Sequence, residues 1–341
     1  DLTLLHHRAS NWYEQQGLYP DAMQHALAGV DAGQIIRLAK QLATPMLSRS
    51  ESITLLSWLA TLPDYLVRTR PGISLLRAWA MVLTGELETA EAHLQAASQV
   101  FDLDPSEAPH VDLRGEIEAL RATIAYFRRD MSTAISLYQR ALENIPAGNR
   151  FLRGCVAQSL GAAYGWQGLV VEATQAYAEA NIINRRTGNL PVSLIAQWNL
   201  GRLQYEQAHL HQAEEIYRQG IVTLNQQPVI QQQELLPVSG RLHIGLAEIL
   251  YEWNEIGAAL DQVKTGLELS QSRQQSSTQV MGHIMVARIR LQQGDIDAAG
   301  QALQQADYLA QRVSGPFYWA AQVARWQARF WLHQGNLRAV A

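Results

Sequence analysis

Residues 160–180 read LGAAYGWQGLVVEATQAYAEA, and this stretch holds one complete junction between two helices. Leu160, Gly161 and Tyr164 precede Gly168 at helical spacing, and Ala173, Tyr177 and Ala180 follow it in the same way. The small residues Gly161 and Ala173 let two backbones approach closely, while the rings of Tyr164 and Tyr177 fill the space between turns. The junction has a signature: a small, polar or Arg residue, an aliphatic or aromatic residue two positions on, and Ala five positions on. It recurs at Gly85-Leu87-Ala90, Arg129-Met131-Ala134, Gly168-Val170-Ala173, Ala208-Leu210-Ala213, Asn254-Ile256-Ala259 and Gly294-Ile296-Ala299, with a looser copy at Gly17-Tyr19-Ala22. From Gly85 onward the copies are 44, 39, 40, 46 and 40 residues apart. A two-helix unit that cannot bury its apolar face alone stacks on its neighbours, so this period implies a solenoid.

The spacing resembles the tetratricopeptide consensus, best in the copy quoted above. Elsewhere mainly the small residues persist: Ala122 with Ala134, Gly201 with Ala213, Ala247 with Ala259, and Ala287 with Ala299. The expected fold is all-α, a tetratricopeptide-like right-handed superhelix of antiparallel helix pairs. A tetratricopeptide unit has about 34 residues. Periods near 40 therefore add roughly six residues, about one and a half helical turns, which deepens the groove.

The array is expected over residues 71–341, with a helical arm over residues 1–70 leading into it. In the arm, LLHHRASNWYEQQG, AMQHALAGVD, IIRLAKQLATPMLSR and SITLLSWLATLP read as short amphipathic helices. Pro63 and Pro71 bracket the junction, each disfavouring helical geometry in the residue before it. Later breaks are expected at FDLDPSEAPH, NIPAGNR, NQQPVIQQQELLPVSG, SRQQSSTQ and RVSGP. Of these, the Gln-rich segment 226–236 is the longest irregular stretch, read as a connection between repeats.

With 341 residues the chain exceeds the usual limit for one compact core, yet no charged or low-complexity linker divides it. A formal net charge of −4 and the lack of a dense Lys/Arg block argue against direct nucleic-acid binding. The single Cys155 excludes an intramolecular disulfide and reads as a small packed residue. No apolar run is long enough to span a bilayer, and the opening DLTLLHHRAS lacks a signal-peptide core, so no membrane partner and a cytoplasmic location are expected. The start in helix-like sequence without Met, and the end just after a turn at Gly335, are those expected of part of a longer protein.

Among catalytic and metal motifs, neither H-E-x-x-H, nor G-x-S-x-G, nor a glycine-rich phosphate loop occurs, so no enzymatic activity and no metal site are expected. His6-His7 and His209-x-His211 do not share a helix face within each pair and read as solvated surface.

A more specific signal lies in the arm. The string LLHHRASNWYEQQGLYPDAMQHAL, followed by LLSWLATLPDYLVRTRPGISLLRAWAMVLTGELETAEAHL, is similar to the helical sensor region of MalT-like regulators, the large ATP-binding LuxR-type transcription factors. The similarity is detailed from Leu4 to Leu94 and continues as a degenerate helical array. It implies a superhelix that receives an inducer, placed between an ATPase with a winged-helix segment and a DNA-binding helix-turn-helix. ATP is then a cofactor of the upstream domain alone, since this chain has no phosphate-binding loop and no cofactor of its own is expected. The ATPase and DNA-binding domains are implied partners.

Aligning the pairs on their small residues, as the tetratricopeptide resemblance permits, puts Trp198, Arg202, Tyr205 and Glu206 on the inner face of one first helix. Arg241, Glu248, Tyr251 and Glu252 come from the next, Arg288 from its successor, and Gln158 and Trp166 from the preceding repeat. Aromatic faces beside Arg and Glu suit a sugar, a nucleotide-like molecule or a peptide, because stacking supplies area and polar groups specify orientation. Two plainer readings stand beside this one: Trp198 and Tyr251 as core between repeats, and the charged groups as mutual ion pairs. In function class, an effector-sensing domain that binds a small-molecule inducer or a regulatory partner stands against a peptide-binding scaffold without an inducer.

Overall fold

All copies of the turn motif adopt one geometry in the computed structural model, which describes residues 2–39, 57–59, 71–103, 112–227, 229–271, 276–313 and 316–336. The first residue of each copy is left-handed: Gly17, Gly85, Arg129, Gly168, Ala208, Asn254 and Gly294 have φ between 61° and 86°. The next amide then reaches back five residues, as from Leu169 to Tyr164, His209 to Gln204 and Glu255 to Leu250, at 2.8–3.0 Å. This bond satisfies a carbonyl left over at the helix end. The residue two positions on opens the following helix, and the motif Ala is fully buried in every copy. Where the residue between them is Asp, as at Asp130 and Asp295, its side chain caps that helix by accepting from the amide three residues on at 3.1 Å.

These turns order the helices α1 (Leu2–Gln15), α2 (Tyr19–Ala28), α3 (Pro71–Thr84), α4 (Leu87–Leu103), α5 (Asp112–Phe127), α6 (Met131–Asn144), α7 (Arg150–Gln167) and α8 (Val170–Arg186). They continue as α9 (Leu190–Glu206), α10 (Leu210–Asn225), α11 (Val229–Glu252), α12 (Ile256–Gln271), α13 (Ser276–Gln292), α14 (Ile296–Ala310) and α15 (Pro316–His333). A further helical stretch covers 32–39, and no strand occurs among the described residues. The fold is the expected all-α, tetratricopeptide-like succession of helix pairs.

The chain divides into two compact units, residues 1–176 and 177–341. In the first, Ala22, Met23 and Ala26 of α2 share one core with Ile35, Leu38 and Leu59 and with Ile73, Leu76 and Ala80 of α3. Pro71 opens α3, whereas Pro63 and the rest of the expected junction at 60–70 lie outside the described residues. Tyr138 of α6 is buried in a second core with Ala122, Ala134 and Leu160.

In the second unit Tyr217 of α10 holds the equivalent position in a core with Leu194, Leu242, Leu246 and Val263. The ring lies between the glycines of two first helices. A Cβ on Gly245 of α11 would come within 2.5 Å of it, and one on Gly201 of α9 would collide with it. Glycine at these two points is what admits a tyrosine ring between helices.

The Gln-rich segment is a correction. Residues 229–236 are not an irregular connection but the first turns of the 24-residue helix α11, and the described break shrinks to 226 and 227. Pro237 lies inside α11, where it removes one backbone hydrogen bond. The helix beyond Pro237 offsets that cost by placing Val238, Leu242, Leu246, Ile249 and Leu250 in the core.

Candidate functional site

In the second unit α9, α11 and α13 are the first helices of successive pairs, and polar side chains on them join into a chain of contacts. Tyr205 Oη of α9 donates to Glu252 Oε1 of α11 at 2.9 Å. The same oxygen accepts from Arg288 Nη2 of α13 at 2.8 Å, and Arg288 Nη1 donates to Glu248 Oε1 at 3.3 Å. The Arg288 guanidinium lies 4.7 Å from the ring centroid of Tyr251 and 4.9 Å from that of Trp326 on α15. Four helices thus meet through one arginine that is only 7% exposed. Its Nε is buried with no hydrogen-bond partner among the described residues, a donor that would gain from an acceptor.

Further along this array Trp198 of α9 carries two guanidinium groups, Arg202 at 5.9 Å and Arg241 of α11 at 5.3 Å from its centroid. Arg202 also forms an ion pair with Glu206 one helical turn on. Arg241, Glu248 and Glu252 are seven and eleven residues apart in order from Arg241, which puts them on one face of α11.

Electrostatics in this cluster follow from burial. Burial raises the Glu248 carboxyl above its ordinary value, and the Arg288 charge only partly opposes this. Burial, reinforced by Glu248, pushes Tyr205 up to about 12, so its hydroxyl stays protonated and donates. For Arg288 burial works downward, but Glu248, Tyr205 and Glu252 outweigh it and its pKa stands above the usual arginine value.

The structure therefore brings together Trp198, Arg202, Tyr205, Glu206, Arg241, Glu248, Tyr251, Glu252 and Arg288 on three helices of one unit. Both plainer readings also apply in part: Trp198, Tyr205 and Tyr251 pack against the apolar core, and most of the charged groups pair with each other. Gln158 and Trp166 belong to the first unit. There Gln158 Oε1 is buried without a hydrogen-bond partner among the described residues, and the half-exposed Trp166 donates from Nε1 to Tyr126 Oη at 2.7 Å.

Trp326, whose ring centroid lies 4.9 Å from the Arg288 guanidinium, is a contact that the sequence reading does not contain. Its signal was the heptad of Trp319 and Trp326 in the aromatic-rich stretch 316–333. Of the two histidine pairs expected at solvated surface, one differs: His6 and His7 are half-buried, with His6 Nδ1 2.9 Å from His25 Nδ1 and His7 Nε2 3.0 Å from the Gly29 carbonyl. Among the described residues no three metal-binding side chains converge, and no described helix is long and apolar enough to cross a membrane.

The family model of the MalT-like TPR region aligns with residues 115–341. The chain belongs to that family. Over its whole length it is 25% identical to the HTH-type transcriptional regulator MalT of Yersinia enterocolitica and 24% identical to that of Yersinia pestis. It spans 37% of the length of these curated relatives. The apo form of RapI superposes with a TM-score of 0.62 at 13% identity, covering 79% of this chain and 93% of that one. NprR in complex with its cognate peptide NprX gives 0.61 at 11% identity, covering 94% and 85%. At such identities the two solved structures bear on the fold alone. For a MalT-like region the matched residues 115–341 include the whole cluster from Trp198 to Trp326.

Proposed function

We propose that this MalT-like region is the effector-sensing and signal-transmitting part of a cytoplasmic transcriptional regulator, and that its effector binds on the face shared by α9, α11 and α13. The observation that carries the reading is the contact chain Tyr205–Glu252–Arg288, capped by Tyr251 and Trp326 and spanning four helices. A ligand that supplies an acceptor to Arg288 Nε, or competes for Glu252, alters the links between neighbouring repeats. Differential affinity for two arrangements of those links is the physical requirement for a sensor. ATP and DNA binding are assigned to other parts of the parent protein, which are also the partners that receive the signal.

The face supplies no nucleophile paired with a base, so turnover forms no part of this reading. A second reading, a peptide-binding scaffold without a small-molecule inducer, draws on the likeness in fold to NprR, whose structure holds its cognate peptide. Native mass spectrometry of the purified chain against a metabolite and peptide library tests both. Recovery of a stoichiometric small molecule supports the sensor, recovery of a peptide alone supports the scaffold, and no retained ligand of either class counts against the face as a binding site.

A further inference from the structure

We infer that the side of α1 carrying Leu2, Leu5 and Trp12 is a docking surface for a helix of the parent protein outside residues 1–341, one with the small-and-apolar spacing of the second helices in this array. The inference goes beyond the effector face and rests on the reading of the chain as part of a longer regulator.

The register of the repeat assigns this side its role. Leu5 and Trp12 stand twelve and five residues before the turn residue Gly17. Counted in the same way from their own turns, the two positions are Ile117 and Ile124 in α5, Val156 and Ala163 in α7, and Leu242 and Ile249 in α11. All six are at most 5% exposed. Seven residues apart, each couple lies on one side of its helix, and that side meets the second helix of the preceding pair. Ile117 and Ile124 share a core with Ala90, Leu94 and Ala97 of α4, and Val156 and Ala163 share one with Ala134, Tyr138 and Ala141 of α6. On α11 the approach is close enough that a Cβ on Gly220 of α10 would lie 2.9 Å from Leu242 Cδ1.

Against its own partner α1 is seated like the other first helices. Ser10, seven residues before the turn as Gly161 is in α7, is fully buried and donates from Oγ to the Ala22 carbonyl of α2 at 2.8 Å. The side that elsewhere meets a preceding pair is open instead. Leu5 is 60% exposed and Trp12 54%, and Leu2, one turn before Leu5, is 71% exposed. A terminal repeat of a solenoid carries a polar outer face, whereas these three side chains form an apolar stripe that gains from being covered.

What fills this side elsewhere defines the occupant. Second helices present Ala, then Leu or Tyr four residues on, then Ala or Gly seven residues on, as in Ala90-Leu94-Ala97, Ala134-Tyr138-Ala141 and Ala213-Tyr217-Gly220. The motif Ala is fully buried in every copy, so among the described second helices none has this side free, and a second copy of the chain offers none. The curated relatives, of which the chain spans 37%, hold further sequence that can supply such a helix. Its small residues would lie against Leu5 and Trp12, and the close fit would attach another part of the regulator to the first unit.

Photocrosslinking in the full-length parent protein, with Trp12→p-benzoylphenylalanine, tests this. The expected product is an intramolecular crosslink to a helix outside residues 1–341 that has the spacing above. Hydroxyl-radical footprinting gives a second reading that needs no reactive side chain: Trp12 is expected to be oxidised several-fold more slowly in the parent than in the isolated chain. Leu5→Gln is expected to restore the faster rate in the parent and to leave that of the isolated chain unchanged. Equal oxidation of Trp12 in the two wild-type proteins, or protection indifferent to Leu5→Gln, overturns the docking surface. An intermolecular crosslink also overturns it, and assigns the stripe to a second copy or to another protein. Each of these results leaves the effector face of the second unit standing, and an effector found to bind elsewhere leaves the protection of Trp12 in place.

Discussion

Arg288 and Glu252, 36 residues apart in sequence, meet at 2.8 Å between the first helices of two successive pairs. Because Glu252 Oε1 also accepts from Tyr205 and Arg288 lies against Trp326, this one ion pair ties four helices together. Removing Arg288 leaves Glu248 and Glu252 near each other without their cation. Arg288→Met is therefore expected to lower unfolding stability by about 3 kcal/mol. Arg218→Gln, which breaks an exposed pair with Glu214, is expected to cost less than about 0.5 kcal/mol. Urea denaturation of both variants checks the contrast.

Ala208 holds a left-handed conformation at φ 61°, in the place taken by glycine in four other copies of the motif. A side chain there costs about 1 kcal/mol relative to glycine. Ala208→Gly is expected to raise the denaturation midpoint by an amount equivalent to about 1 kcal/mol, and Gly294→Ala to lower it by a similar amount. An Ala208→Gly protein less stable than wild type would show that the turn is not strained by its side chain.

Gly245 faces the buried Tyr217 ring, which has no room to retreat. Gly245→Ala is expected to destabilise the second unit by about 1–3 kcal/mol, and pairing it with Tyr217→Leu should recover part of the loss. Thermal unfolding of the single and double variants is the measurement.

Much of the fold was legible because the turn rule is local. Left-handed geometry selects Gly, or Asn at some cost, and close helix contact selects Ala five residues later, so both leave marks at fixed spacing. The helical start of α11 was not legible, since Pro237 among glutamines reads as a break. The packing of Val238, Leu242 and Leu246, which overrides that local preference, lies downstream. Alignment of the pairs on their small residues, which the tetratricopeptide resemblance permits, also put Arg241, Glu248 and Glu252 on one face. It could not show that Glu248 and Glu252 share Arg288 while Arg241 meets two hydroxyls, because these partners come from another pair. Trp326 was missed for the same reason, lying 38 residues beyond the arginine it meets.

Stability is expected to depend on pH in two opposite ways. Burial lowers the pKa of His243, with its Gln262 hydrogen bond only partly opposing, and burial also lowers that of His283. Their contribution is complete above the ordinary value of 6.5 and is lost as pH falls through the folded-state values. Glu248 has a raised pKa, so its contribution is complete below the ordinary value of 4.5 and is lost as pH rises through the folded-state value. Replacing His243 with Gln should flatten the loss of stability below 6.5, and Glu248→Gln should flatten the opposite limb above 4.5. Denaturant midpoints measured across both windows check each slope.

The central claim, that the effector binds on the face of α9, α11 and α13, is tested most directly by calorimetry of an effector recovered by native mass spectrometry, against wild type, Tyr205→Phe and Arg202→Gln. Tyr205→Phe removes only the hydroxyl that reaches Glu252, and Arg202→Gln removes the charge beside Trp198 and Glu206. The account predicts that both variants keep wild-type helical content and bind the effector about tenfold more weakly or worse. Unchanged affinity in both folded variants would contradict it.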